Sequence, residues 1–243
     1  MSRSTRWIVV AIVLALVVVL LAPFVWSEIT TRQAPPQLGL ETSGEPSDTV
    51  EPPTPGPFEV DGTWVVEAGS ESGFRVQETG PGATEEPLVG STDEVTGSVT
   101  VRSGEAVSVE ITTRTASITT GDPVSDLVFY QALEVDAYPA AIFTLTTPMP
   151  VDELAGTTEP VELVASGTLT LRDVTASVDA TVEAQRSGDG VQVTAAIPVR
   201  LADYELSVPP DLPVQVAPDA TVEVRLQLVR AAEAADDGAA AGG

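Results

Sequence analysis

Apolar and polar side chains alternate with a period of two through most of the second half of the chain. Val161, Leu163, Ala165, Gly167, Leu169 and Leu171 share one face, against Glu162, Ser166, Thr168, Thr170 and Arg172. Val174, Ala176, Val178, Ala180, Val182 and Ala184 form a second apolar face, with Asp179, Thr181 and Glu183 opposed. Val191, Val193, Ala195, Ile197 and Val199 repeat the pattern, as do Val222, Val224, Leu226 and Leu228. Earlier in the chain Val107, Val109 and Ile111 alternate with Ser108, Glu110 and Thr112. This period predicts strands with one buried and one solvated face. Arg102-Ser103-Gly104-Glu105 and Ser187-Gly188-Asp189-Gly190 are short hairpin candidates between them.

One stretch departs from the alternation. Asp122-Pro123 predicts a helix N-cap with proline at the first helical position, and Leu127, Val128, Tyr130, Gln131 and Leu133-Glu134 continue the helix until Tyr138-Pro139 stops it. The expected fold is therefore all-β, about eight antiparallel strands with one short helical insertion. Strands centred on residues 165 and 180 exceed ten residues, which favours a closed barrel over a compact sandwich of shorter strands. Several inward positions are small: Ala165, Gly167, Ala180 and Ala195. Two readings are open for them. A barrel lined by small side chains keeps a cavity, whereas alanines facing large partners such as Phe143 or Leu163 leave a solid interior.

The chain ends differ from this domain. Residues 7–26 carry no charge and are long enough, at about 1.5 Å per residue, to cross the roughly 30 Å apolar core of a bilayer. Arg3 and Arg6 precede the run, Glu28 follows it, and Trp7 and Trp26 stand at its ends. An N-terminal transmembrane anchor with a cytoplasmic N-terminus and an extracytoplasmic domain is expected. A cleaved signal peptide is the alternative, although the run is long for one and Ala22-Pro23-Phe24 is a poor cleavage site. Residues 27–57 hold seven prolines among Ser, Thr, Gly and Glu and read as an extended, disordered spacer. Residues 231–243 are Ala, Gly and acid only and read as a disordered tail, which leaves residues 58–230 as one folded domain.

Composition removes most catalytic chemistry. The 243 residues include no His, Cys, Lys or Asn, and 36 Asp plus Glu against 11 Arg give a formal net charge of −25. Ser-His-Asp and Cys-His nucleophiles, disulfides and the usual zinc sites are excluded, as are the P-loop and Schiff-base lysines. Such an acidic surface repels nucleic-acid phosphates. The adjacent acids Glu85-Glu86, Asp152-Glu153 and Asp236-Asp237 do not form catalytic pairs by themselves, since neighbours on a strand point to opposite faces. The Asp-x-Asp-x-Asp-Gly order of a calcium loop is missing. No catalytic residue, metal or cofactor is expected.

Several short elements, in order, resemble the YceI-like family. Gly62-Thr63-Trp64-Val65-Val66 followed by Ser72-Gly73-Phe74-Arg75-Val76 looks like the family's first strand pair. Val89-Gly90-Ser91-Thr92 and Val95-Thr96-Gly97 follow. The helical insertion carries Asp126, Leu133-Glu134, Tyr138-Pro139, Ala141 and Phe143, and Gly167-Thr168-Leu169-Thr170-Leu171 with Val174-Thr175 comes next. Asp203-Tyr204 with Pro209 matches the penultimate turn. The resemblance implies a lipocalin-like barrel that binds polyisoprenoid or similar long-chain lipids. It departs at Glu71-Ser72, Ser125-Asp126 and Arg172-Asp173, where family members often carry His-Ser, Arg-Asp and His-Gly, so head-group contacts do not transfer.

The expected ligand is thus a polyisoprenoid or quinone-like lipid held by apolar side chains. Phe129, Leu133 and Phe143 are expected at the barrel mouth beside the helix. Phe74, Val109, Ile111 and Leu145 are expected on the inner face of the first half of the barrel. Leu169, Val178, Val182, Val193, Ile197 and Leu226 complete the lining from the second half. Membrane contact through the N-terminal helix is expected, and a protein partner remains an open alternative, in which a filled barrel displays an acidic surface.

Overall fold

The structure is a computed structural model that describes residues 58–79, 83, 85–208 and 214–232. The expected anchor at residues 1–26, the spacer at 27–57 and all of the expected tail 231–243 but its first two residues lie outside the described residues. Among those described, no helix is long and apolar enough to cross a membrane.

Eleven strands form one antiparallel sheet. They are β1 Gly62–Val66, β2 Glu71–Thr79, β3 Leu88–Thr92, β4 Val95–Arg102 and β5 Glu105–Arg114, followed by the helix α1 Pro123–Leu133. Then come β6 Ala140–Leu145, β7 Met149–Pro150, β8 Val161–Leu171, β9 Val174–Ser187, β10 Gly190–Arg200 and β11 Gln215–Arg230. The long β11 pairs β2 through its first part and β1 through its end, from Gln215↔Thr79 to Trp64↔Arg230. β1 with β2, and β3 with β4, therefore act as two long strands, each broken once. With β5, β6, β8, β9, β10 and β11 they close an eight-stranded up-and-down barrel, and β7 hangs on the start of β5.

The first break corrects the sequence reading. β1 and β2 are not a hairpin pair; each bonds β11, and their other edges bond β4 and β3. At residues 67–70 the chain steps out of the ladder, and the buried Ser70 hydroxyl donates to the Glu67 carbonyl at 2.7 Å while accepting from Gln227 N at 2.9 Å. A side chain thus satisfies backbone groups the ladder leaves open. A bulge between Thr100 and Val101 makes a second correction. It turns Ala106 fully inward and takes Val107 out of phase with Val109 and Ile111.

The turns and the helix follow from their residues. Ser103 (φ 55°) and Gly104 (φ 75°) form a two-residue hairpin turn, and both backbone N–H groups donate to the Asp61 carboxylate at 2.8 Å. Asp122 caps α1 by accepting from Ser125 N at 3.3 Å. The helix ends at Glu134, which is left-handed (φ 49°), several residues before Tyr138-Pro139.

Buried apolar residues gather in two clusters. One contains Trp64, Val101, Ala106, Val151, Leu154, Val161 and Leu228, at the end of the barrel opposite α1. The 3-10 turn Asp152–Ala155 lays Val151 and Leu154 across that end. Phe58 packs on Trp64 with ring centroids 5.7 Å apart, and Arg186 and Arg230 lie over the two rings at 4.3 and 4.8 Å. The other cluster, with Leu169, Leu171, Ile197, Val199 and Tyr204, forms the wall of β8 to β10.

Tyr204 is 1% exposed, and its hydroxyl has no hydrogen-bond partner among the described residues. Burial, helped by the neighbouring Asp203 charge, pushes its pKa up to about 12. Below the ordinary value of 10.0 both folded and unfolded chains keep the phenol neutral, whereas between there and about 12 only the unfolded chain ionises. Stability is thus untouched below pH 10 and falls as pH rises through the folded value. Tyr204→Phe is expected to remove this alkaline loss and to match or exceed wild-type stability at neutral pH by up to about 1 kcal/mol. Urea denaturation at pH 8 and pH 11 measures both effects; a loss exceeding about 2 kcal/mol at pH 8 would show a hidden partner for the hydroxyl.

Candidate lipid-binding cavity

The inward faces of the strands enclose a cavity of about 260 Å³. It begins at the plugged end, at Trp64, Val151 and Leu154, and reaches the end bearing α1, where Phe129, Leu133, Leu206 and Val216 border it. The 11 residues of β8, at ~3.3 Å each and tilted ~40°, give a wall roughly 28 Å tall.

Small residues create the space at the waist. Ala165 pairs with Ala180, and Ala195 with Val182, all on the cavity wall. Elsewhere the second reading of the small positions holds. A Cβ at Gly167 would stand 2.6 Å from the Phe143 ring, so glycine is what admits that ring against the wall. Gly90, cross-strand partner of Phe74, does the same for the Phe74 ring, again at 2.6 Å. The alanines thus leave width, and the space over the glycines is filled by aromatic rings.

The α1 end is built from the helix outward. Phe129 stacks on Phe74 at 4.7 Å and 9°. Tyr130 donates from its hydroxyl to the Ile118 carbonyl at 2.7 Å, and Glu134 at the helix end meets Arg172 in the β8–β9 turn. Asp126 accepts from Thr120 N and Oγ1 at 2.6 Å and from Thr119 Oγ1 at 2.8 Å. Burial opposes its charge, but these hydrogen bonds outweigh burial and hold the carboxyl below its ordinary value. The carboxylate therefore ties the helix to the preceding loop at neutral pH, and the tie weakens as pH falls through the lowered value.

Among the residues expected to form the site, Phe74, Val109, Ile111, Phe129 and Leu133 lie on the cavity wall. So do Phe143, Leu169, Val182, Val193, Ile197 and Leu226. Leu145 and Val178 do not, which corrects their placement. They flank Gly167 in one row across β6, β8 and β9, and the Phe143 ring over that glycine covers the row. Both pack into the wall cluster instead.

The hydroxyl residues of the lining are not among those expected from the sequence. Ser72, Thr113, Thr115 and Ser125 border the cavity and are each buried. Their signal was phase: Ser72 is two residues before Phe74, and Thr113 two after Ile111. Val151 and Leu154 carried no such signal, because a 3-10 turn after a two-residue strand has no period to read. Among the described residues, no three acids gather as a metal site would require.

Comparison with known proteins adds a family. The YceI-like domain model matches residues 64–228. A polyisoprenoid binding domain from Saccharophagus degradans superposes with a TM-score of 0.54 at 18% identity, covering 70% of this chain and 98% of that one. Burkholderia cenocepacia BcnA gives 0.51 at 18% identity, covering 64% and 95%. At these identities the superpositions speak for the fold. No curated protein matches the sequence. A matched domain running from the Trp64 plug to Leu228 at the close of β11, on a closed eight-stranded barrel with one helix, places this chain in the YceI-like family.

Proposed function

We propose that the chain binds a long-chain hydrophobic molecule, a polyisoprenoid or quinone-like lipid, inside the barrel. The observation that carries this reading is the cavity of about 260 Å³, on whose wall no charged side chain stands among the described residues. A solid interior would have favoured a module that only displays its acidic surface. Burying about 300 Å² of apolar ligand at ~25 cal/mol per Å² supplies ~7.5 kcal/mol before the costs of association. Drug-sized ligands occupy pockets of about 300–1,000 Å³. This smaller cavity takes a segment of a long chain, and the remainder leaves past Phe129 and Leu133.

The name of the Saccharophagus degradans domain supports the same ligand class. In this reading residues 7–26 anchor the protein in the cytoplasmic membrane with the barrel outside, near the bilayer where such lipids reside. Binding, as carrier, store or sensor, needs no catalytic group.

Native mass spectrometry of the full chain, released from detergent in the gas phase, tests the reading. An added mass that organic solvent removes, with the isoprene-unit spacing of a prenyl chain in its fragments, is expected. A bare mass before and after incubation with prenyl lipids overturns it.

A further inference from the structure

The outer face of the barrel is not evenly exposed. On β9 the outward residues Thr175, Ser177, Asp179 and Thr181 are exposed, as alternation predicts for a solvated face. One strand further round the pattern fails. Gln192 and Thr194 of β10 and Glu223 of β11 also point outward by register, opposite Gln227, Arg225 and Ala196, yet they are 5%, 6% and 5% exposed. Arg75 of β2 continues the line through its ion pair with Glu223 at 2.8 Å, and its side chain is 15% exposed. These residues form a diagonal band across β10, β11 and β2. Beside it, the outward Ala196 and Pro198 of β10 are exposed. The cover is therefore narrow. A folded partner or a second copy of the chain buries about 800 Å² on one side, too wide to follow a single diagonal. A band of this shape is the footprint of an extended chain.

We infer that this band is the docking site of the chain's own proline-rich segment, residues 33–57, which lies outside the described residues. The inference is independent of lipid binding. The segment ends at Phe58, whose ring lies 4.3 Å from the Arg186 guanidinium, and Arg186 pairs with Val191, the neighbour of Gln192. It therefore joins the barrel where the band begins. At ~3.1 Å per residue in a polyproline conformation it reaches roughly 75 Å, against ~20 Å from Gln192 to Arg75 by strand rise and spacing. Its chemistry matches too. It holds all seven prolines of the spacer, which present carbonyl oxygens without N–H groups, and its only charges are Glu41, Glu45, Asp48 and Glu51. The band offers the complement: Gln192 and Thr194 as donors, and Arg75 and Arg225 as cations. Arg225 meets Glu71 at 3.0 Å as Arg75 meets Glu223, but a guanidinium carries more N–H groups than one carboxylate takes. Docking shortens the reach of the spacer and fixes the side of the barrel from which it leaves.

Thiol labelling tests this in the full chain, which has no Cys of its own. Thr194→Cys reports on the band, and Thr181→Cys, exposed on β9, reports on the open face. In detergent micelles, a maleimide is expected to label the Thr194→Cys thiol about tenfold more slowly than the Thr181→Cys thiol, because it reacts only when the segment lifts. Replacing residues 33–57 with a Gly/Ser run of the same length should raise the first rate to the second and leave the second unchanged. Thermal melting checks that each variant folds, and Gln192→Cys takes the place of Thr194→Cys if that variant does not. Equal labelling of the two thiols in the chain with its native segment would mean an open face and overturn the inference. Protection that survives the Gly/Ser replacement would assign the cover to the barrel's own side chains, and protection lost on dilution would assign it to a second copy. Either result also overturns it.

Discussion

Ala180→Phe is expected to lower lipid affinity by about 70-fold while leaving a folded barrel. Ala180 is 2% exposed, faces Ala165 across β8 and β9, and both border the cavity at its waist. A phenyl ring there occupies volume that is otherwise empty, so it does not have to displace packed neighbours as it would in a filled core. It removes about 100 Å² of wall from contact with the ligand, worth ~2.5 kcal/mol at ~25 cal/mol per Å². Thermal melting checks the fold, and displacement of a photoreactive geranylgeranyl probe checks the affinity. Ala180→Val serves as the smaller step and should fall between the two. Unchanged affinity in a folded Ala180→Phe protein would place the ligand elsewhere.

Trp64→Ala is expected to cost about 3–5 kcal/mol of stability, the usual range for emptying a buried Trp site. Trp64 is 3% exposed, donates its indole N–H to the Val60 carbonyl at 2.9 Å and is covered by Arg230 at 4.8 Å. It also supports Phe58, so its loss loosens the plug that closes the barrel end. Urea denaturation measures the loss, and Trp64→Phe should recover roughly half of it by keeping the ring contact with Phe58. A cost under about 1 kcal/mol would mean the plug forms without this residue.

The period of two carried most of the fold. β8 to β11 appear where the alternation places them, because each has one face on a continuous core and one in water. Phase alone also put residues such as Ile111, Val182 and Leu226 on the cavity wall. It failed where the chain leaves strict alternation. The bulge at Thr100 and Val101 exchanges Ala106 for Val107, and residues 67–70 break one long strand into two that share β11 on one edge and bond β4 and β3 on the other. Leu145 and Val178 had the right phase and still miss the cavity, since the Phe143 ring covers the glycine between them. Whether small residues leave room or receive a neighbour's ring depends on contacts between strands far apart in sequence, and a single chain's pattern does not contain them. Ser72 was visible as the serine of Glu71-Ser72, but its contact with Thr113 at 2.9 Å became visible only in the structure.

Photolabelling locates the ligand directly. The full chain would be irradiated with a diazirine-bearing geranylgeranyl probe, cleaved at its acidic residues, and the modified positions read by mass spectrometry. Label on the inward residues of β5, β8 and β9, at Val109, Leu169 and Val182, displaced by unlabelled geranylgeraniol, is the expected result. Label confined to residues 7–26, or spread over the outer face of the barrel and insensitive to the unlabelled lipid, would contradict a binding site inside it.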